Sequence, residues 1–239
     1  AIWPLWQEQG GPAPIAMAGH SLGEWSALVC SGAVEFADAV GIVRARGAFM
    51  QEAVPVGVGA MAAIMGMDDQ VVIDACSEAG NGQIVDAVNF NAPGQVVIAG
   101  DAEAVRRAAN ICKKAGAKRA VELPVSAPFH TSLMRPAADN LAELVAQTAF
   151  KPPQVTIVHN VHAQTEDNIE AIKSLMLEQI YKPVLWVDCV NSLATRGAEI
   201  LVECGPGRVL NGLSKRINRE LTSLSTDDVA SLENALTSV

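Results

Sequence analysis

Gly19-His20-Ser21-Leu22-Gly23 is the stretch whose residue types and spacing most suggest chemistry. It fits G-x-S-x-G, the pattern of a nucleophile elbow, where a serine sits on a tight turn between a strand and a helix. The turn crowds the residues two before and two after the serine, so both are expected to be small. The helix that follows aims its first N–H groups at an oxyanion forming on an attacked carbonyl. The flanks suit this reading. Apolar "PIAMAG" precedes as a strand, and "LGEWSALVCSG" follows as a helix closed by Gly32. The competing reading makes Ser21 an ordinary helix-capping serine.

A nucleophilic serine needs a base. The histidines are His20, His130, His159 and His162. His20 adjoins Ser21 on the turn, so its side chain should diverge, as a wall or a hydrogen-bond donor. His159 and His162 flank Asn160 at a strand end and read as loop or internally satisfied histidines. His130 lies in "VSAPFHTSLM", at a junction between two parts of the chain, and such junctions form clefts. Position therefore favours His130. A full triad would add an acid between serine and histidine in chain order. Acids occur there, but none in a recognisable strand-end context. A Ser–His dyad with its histidine oriented by a backbone carbonyl stays open.

The elements that must position these residues read as α/β. "EFADAVGIVRARGAFMQEAV" is a long helix with apolar Phe36, Val40, Val43 and Met50 near a 3.6 period. From Gly59 to Val125 the rhythm changes. "GAMAAIMG" reads as a strand and "DDQVVIDACSEAG" as a helix. "GQIVDAVNF" and "GQVVIAG" form a hairpin through "NAPG". "DAEAVRRAANICKKAG" is a helix with Asp101 as N-cap, and "AKRAVELPV" a last strand. The order βαββαβ is ferredoxin-like. The expected fold class is α/β, with an α/β-hydrolase-like parallel-sheet body at 1–57 and 127–239 and a small inserted subdomain at 58–126. Beyond the insert, "MRPAADNLAELVAQ", "NIEAIKSLMLEQIY", "WVDCVNSLATRG" and "RVLNGLSKRI" are expected helices, and "VTIVHNV" and "AEILVECGPG" strands. "STDDVASLENALTSV" reads as a peripheral helix.

The bulk properties narrow the classes. The 239 residues are 50% hydrophobic, enough to bury one domain or one domain with an insert. Only 4% are aromatic, and abundant alanine, valine and glycine suit close helix-on-sheet packing. A net charge of -9 argues against nucleic acid or anionic membrane as partner. The cysteines Cys30, Cys76, Cys112, Cys189 and Cys204 are odd in number and lack CxxC pairing, which predicts a reduced, cytoplasmic location. No apolar run reaches the roughly 18 residues of a membrane span, and no signal peptide is visible.

"GHSLGEWSALVCSGAV", "RARGAFMQEA", "NFNAPGQVVIAG", "AKRAVELPVSAPFHTSLMRPA" and "ECGPGRVL", in this order, closely resemble the malonyl-CoA:acyl carrier protein transacylase family of bacterial fatty acid synthesis. The resemblance runs through nearly the whole chain. It implies ping-pong acyl transfer with Ser21 as nucleophile, His130 as base and a malonyl ester on Ser21. It implies that the main-chain carbonyl of Gln179 in "LEQIYKP" orients His130; from pattern alone Gln179 reads as a surface helix residue. It also implies that Arg46 in "RARG" meets the substrate's free carboxylate. The helix pattern by itself does not choose between Arg44 and Arg46. Phe129 resembles the bulky residue of malonyl-selective members, with core packing as the plain alternative. His20 and Asn91 are expected substrate contacts, as is Asn89, and a turn role suits the asparagines equally. The implied partners are malonyl-CoA and an acyl carrier protein, with no metal and no cofactor beyond the carrier's phosphopantetheine, and a monomer when complete.

The family pattern begins with a strand and a "GQGSQ"-like loop whose glutamine helps build the oxyanion hole. These residues hold no counterpart, so an N-terminally incomplete body is expected, with the Leu22 N–H the one identifiable oxyanion donor. Carrier proteins of this kind are acidic, so an enzyme of net charge -9 should offer a local basic face. Arg106, Arg107, Lys113, Lys114, Lys118 and Arg119 form one candidate, with Lys118 and Arg119 the expected contacts. Lys215, Arg216 and Arg219 form another. Either patch also reads as a solvated helix face. The alternative functions are an esterase or thioesterase sharing G-x-S-x-G, a trans-acting polyketide acyltransferase, and an inactive fragment that only docks carrier protein.

Overall fold

The computed structural model describes residues 1–125 and 127–239. The chain opens with helix α1 (Ile2–Glu8) and strand β1 (Ala16–Ala18), and then turns at Ser21 into α2 (Leu22–Cys30). α2 buries Glu24, Trp25, Ala27 and Leu28 along one stripe. α3 (Phe36–Glu52) follows. Its buried stripe is Ala39, Ile42, Arg46 and Met50, at helical spacing. This corrects the stripe expected from sequence, because Phe36 and Val40 are 70% and 51% exposed. Small Ala39 lets the helix sit close to its neighbours, and the stripe runs through a charged residue that no apolar count includes.

The insert has the expected order: β2 (Gly59–Met65), α4 (Asp69–Gly80), β3 (Val85–Ala92), β4 (Gln95–Asp101), α5 (Ala102–Lys114) and β5 (Arg119–Glu122). Its strands form one antiparallel sheet in the order β3-β4-β2-β5. β2 is buried on both faces, which is why it reads as an unbroken apolar run. One face carries α4 and α5 over Ala62, Ile64, Val96 and Ile98. The other gathers Met61, Ala63, Val88, Val97 and Ala99 against Phe129. α4 starts on Asp68, whose carboxylate accepts the Gln70 N–H at 2.9 Å. Asp101 stands at the N-cap position of α5 but makes no side-chain cap; its carboxylate accepts the Ile84 N–H at 2.7 Å instead. The expected insert boundary at 126 falls on Ser126, outside the described residues.

The chain continues as α6 (Arg135–Gln147), β6 (Thr156–Val158), α7 (Ile169–Glu178), α8 (Trp186–Thr195), β7 (Ile200–Glu203), α9 (Val209–Ile217), β8 (Thr222–Ser225) and α10 (Val229–Ser238). β1 pairs parallel with β6, and β7 parallel with β8. An apolar cleft of about 660 Å³ separates these pairs, lined among others by Met17, Ala18, Gly23, Ile200 and Val202. β8 was not expected: "TSLS" is short and mostly hydroxyl-bearing, and only its pairing with β7 makes it a strand. The core beneath Ser21 joins Leu28, Ile42, Met134, Leu141, Ile157 and Met176. Each such burial contributes about 1.5–3 kcal/mol. Insert and body meet where β3 bonds Val184: the Phe90 N–H reaches its carbonyl at 3.0 Å, and its own N–H reaches Val88 O at 2.8 Å.

Candidate active site

The elbow is built by close backbone approach. A Cβ on Gly19 would meet the carbonyl carbon and oxygen of Gly23 at 2.0 Å, so only glycine fits. Gly23 differs from expectation: a Cβ there would meet nothing within 4 Å. Ser21 itself takes φ 51° and ψ -110°, a strained backbone for a residue with a side chain. Asn160, just past β6, holds the turn in place. Its Oδ1 accepts the Ser21 N–H at 2.7 Å, and its Nδ2 donates to Gly19 O at 2.8 Å. The parallel pairing of β1 with β6 brings Asn160 here, and the sequence reading did not select it.

Of the histidines, His130 reaches Ser21. Its Nε2 lies 2.8 Å from Ser21 Oγ. Its Nδ1 lies 2.7 Å from the main-chain oxygen of Gln179. Gln179 caps the C-terminus of α7, where carbonyls lack intrahelical partners and carry the negative end of the helix dipole. That carbonyl occupies the place an acid takes in a triad. Gln179 is fully buried, not a surface residue. With Nδ1–H donated to Gln179, Nε2 is the acceptor that faces the serine hydroxyl. His130 sits at φ 65°, a second strained residue facing the first. Burial first, then the Arg46 charge, hold its imidazole down at about 3, so it rests neutral with Nε2 unprotonated toward the serine.

Arg46 is 6% exposed and points into the site from the buried stripe of α3, while Arg44 is exposed. One terminal nitrogen donates to Ser21 Oγ and to Gln179 Oε1, both at 3.1 Å. Its Nε–H is buried without a partner among the described residues. Burial pushes the guanidinium down to about 10, with the Glu24 carboxylate opposing the shift. The result is a cation with unspent donors beside a serine. Such a cation suits an anionic group, because a guanidinium binds a carboxylate through parallel hydrogen bonds.

The remaining expectations divide. His20 does not bond Ser21; its Nε2 lies 2.8 Å from Asn91 Oδ1, and its ring packs 5.5 Å from that of Trp186. Burial keeps it below its ordinary value, so it stands as a neutral wall with Asn91. Asn89 buries its Oδ1 without a partner among the described residues. Phe129 packs against both the body core and the inner face of the insert sheet. Leu22 is half exposed, and its N–H heads α2 beside Ser21. Lys118 and Arg119 are exposed on the β5 side of the insert, away from the hydrogen bonds that join Ser21, His130, Arg46 and Gln179 among the described residues. Arg107 is turned inward onto the carbonyls of Ala79 and Gly80, which end α4. Arg106 faces Glu122 at 4.0 Å. Arg216 donates to Gln95 Oε1 and to Pro93 O at the β3–β4 turn. Pattern alone missed Glu24, which lies 2.7 Å from His159, one of the histidines read as loop or internally satisfied; both are fully buried. The available signal was an acid on the apolar stripe of α2.

Residues 1–232 match the acyl transferase domain model. The chain is 55% identical over 236 residues to the malonyl CoA-acyl carrier protein transacylase of Escherichia coli (strain K12), covering 99% of this chain and 76% of that one. The chain belongs to the malonyl-CoA:acyl carrier protein transacylase family. A 1.7 Å structure of an acyl carrier protein S-malonyltransferase from Vibrio cholerae superposes with a TM-score of 0.96 at 50% identity, covering 98% of this chain and 76% of that one. A malonyl-transacylase in complex with its type II PKS acyl-carrier protein superposes at 0.98 with 52% identity, covering all of this chain and 77% of that one. In this member of the family, His130 and the buried Arg46 both lie within hydrogen-bond reach of Ser21.

Proposed function

We propose that the chain moves a malonyl group from malonyl-CoA to the phosphopantetheine thiol of an acyl carrier protein, through an ester on Ser21, as an extender supply for fatty acid synthesis in the cytoplasm. The observation that carries this reading is Ser21 Oγ held 2.8 Å from His130 Nε2 and 3.1 Å from Arg46. Ser21 attacks the thioester carbonyl while its proton passes to His130 Nε2. The oxyanion meets the Leu22 N–H at the head of α2. Collapse expels the CoA thiolate, which takes the proton back from His130. The carrier's thiol then attacks the Ser21 ester, with His130 again as base. Gln179 O stabilises the imidazolium in each half. Arg46 holds the free carboxylate through its unspent donors. Phe129 narrows the acyl pocket, and His20 and Asn91 form a wall on the substrate side. No cofactor is required beyond what the carrier brings.

The same reading divides the chain into a body at 1–57 and 127–239 and an insert at 58–126, with the acyl pocket between them. The acidic carrier docks on the α9 side, through Lys215, Arg216 and Arg219. Arg216 braces the β3–β4 turn, Asn91 on that hairpin meets His20, and His20 adjoins Ser21. The candidate on α5 and β5 is less suited. α5 covers the sheet face opposite Phe129, and Arg107 is spent on α4.

The test is intact-mass analysis after mixing with malonyl-CoA alone. One malonyl group on the Ser21 peptide, discharged by holo carrier protein, is the expected result. Steady release of free malonate without carrier would instead make this an esterase, and absence of any adduct would leave a docking fragment.

A further inference from the structure

Gln179 carries three separate duties with one residue. Its main-chain oxygen takes His130 Nδ1–H, its Oε1 takes Arg46, and its Nε2 donates to Ser21 O at 2.9 Å. The side-chain amide therefore has a required direction. Reversed, it would turn its NH2 toward the guanidinium, a donor facing a donor. What fixes the direction is on its other side. Gln179 Nε2 also donates to Glu24 Oε2 at 2.6 Å. A carboxylate only accepts, so it holds the NH2 end on its own side and sends Oε1 toward Arg46.

Glu24 is itself held. Its Oε2 also faces the Asn160 N–H at 3.3 Å, and its Oε1 lies 2.7 Å from His159 Nδ1. The carboxylate is 1% exposed and the imidazole 0%, so water does not substitute for either partner. His159 Nε2 has no hydrogen-bond partner among the described residues, which leaves Nδ1 as the working nitrogen. Neither Glu24 nor His159 bonds Ser21 Oγ or His130.

We infer that Glu24 and His159 are a buried positioning pair, which locks the Gln179 amide and through it sets both the aim of His130 and the placement of Arg46. The inference rests on the transacylase reading for its kinetic consequences, and on geometry alone for its spectroscopic one. Because one residue serves base and cation, the pair should couple rate to acyl selectivity. A merely structural pair would lower stability and leave both alone.

The experiment uses the full chain with Glu24→Gln, His159→Leu and His159→Asn. Asparagine offers an N–H close to where Nδ1–H stood; leucine offers none. The first readout is the ¹⁵N spectrum of the His130 side chain. The unaltered chain should show a single Nδ1–H tautomer. Glu24→Gln and His159→Leu should show mixed tautomers, and His159→Asn the original one. The second readout is the rate of Ser21 ester formation from malonyl-CoA and acetyl-CoA. Glu24→Gln should lose roughly 10- to 100-fold with malonyl-CoA and lose its preference over acetyl-CoA, a cost typical of misplacement from behind the reacting groups. His159→Asn should return to within about 3-fold of the unaltered chain, against the same scale. An unchanged His130 tautomer in both Glu24→Gln and His159→Leu overturns the inference, as does His159→Asn behaving like His159→Leu. Should the unaltered chain form no ester at all, the transacylase reading fails, while the tautomer comparison still decides the pair.

Discussion

His130 Nδ1 and the main-chain oxygen of Gln179 lie 2.7 Å apart, with no acid between them. A carbonyl at a helix C-terminus orients the imidazole but offers it no full negative charge. The imidazolium formed during transfer is therefore less stabilised than beside a carboxylate, and the resting histidine is held neutral by burial.

That neutrality has a pH signature. His130 stands at about 3 in the folded chain against an ordinary 6.5. Between these values the unfolded chain binds the proton and the folded chain does not. Stability should therefore fall as pH drops below about 6.5 and be indifferent to this group above it. His20, held low by burial, acts in the same direction. Thermal unfolding at pH 7.5 and pH 5 should show a larger drop for the unaltered chain than for His130→Leu. Equal drops would show that His130 titrates normally in the fold.

Arg46→Ala should slow malonyl transfer by about 2–4 kcal/mol in transition-state terms, because a carboxylate is left unpaired in a half-dry site. Acetyl transfer should lose less, since acetyl carries no second carboxylate. Ester formation from both thioesters measures the split. Equal losses would make Arg46 a brace for Ser21 and Gln179 only.

The two glycines of the elbow should behave differently. Gly19→Ala forces a Cβ into the backbone of Gly23 and should cost more than about 3 kcal/mol or prevent folding. Gly23→Ala meets open space in α2 and should be neutral or stabilising by up to about 1 kcal/mol. Denaturant midpoints of the two variants check this, and a severe loss for Gly23→Ala would contradict the open geometry.

Carrier docking should be sensitive to charge on α9. Lys215→Glu with Arg219→Glu should raise KM for carrier protein while leaving the malonyl-CoA half-reaction unchanged. Lys113→Glu with Lys114→Glu should change neither. The effect should shrink at high salt, as screened surface charges require. The reverse ranking would move the docking face to the insert.

The elements that local pattern specifies were legible without coordinates. The apolar run before Ser21, the helix after it and the βαββαβ order of the insert all follow from periodicity and turn residues in adjacent positions. "NAPG" joins β3 to β4 as read, because proline and glycine act on their own backbone. One element went unread and one local reading failed, where the environment overrode local pattern. β8 exists through its partner β7, and the stripe of α3 is displaced onto Ala39 and Arg46.

By itself, the sequence determined that Ser21 sits on an elbow, that an α/β body carries a ferredoxin-like insert, and through its ordered motifs which family the chain belongs to. The tertiary structure decided the rest. His130 meets Ser21 across 109 positions of chain, and Gln179 meets His130 across 49. A carbonyl acting as the orienting group carries no residue signature, because every residue has one. Arg46 rather than Arg44 faces the site because of how α3 is rotated against the core. Glu24 and His159, separated by 135 positions, find each other only when β1 pairs with β6 beneath the elbow. Spacing along a chain reports contacts within one turn or one hairpin; contacts between elements depend on packing, and it is packing that assembled this site.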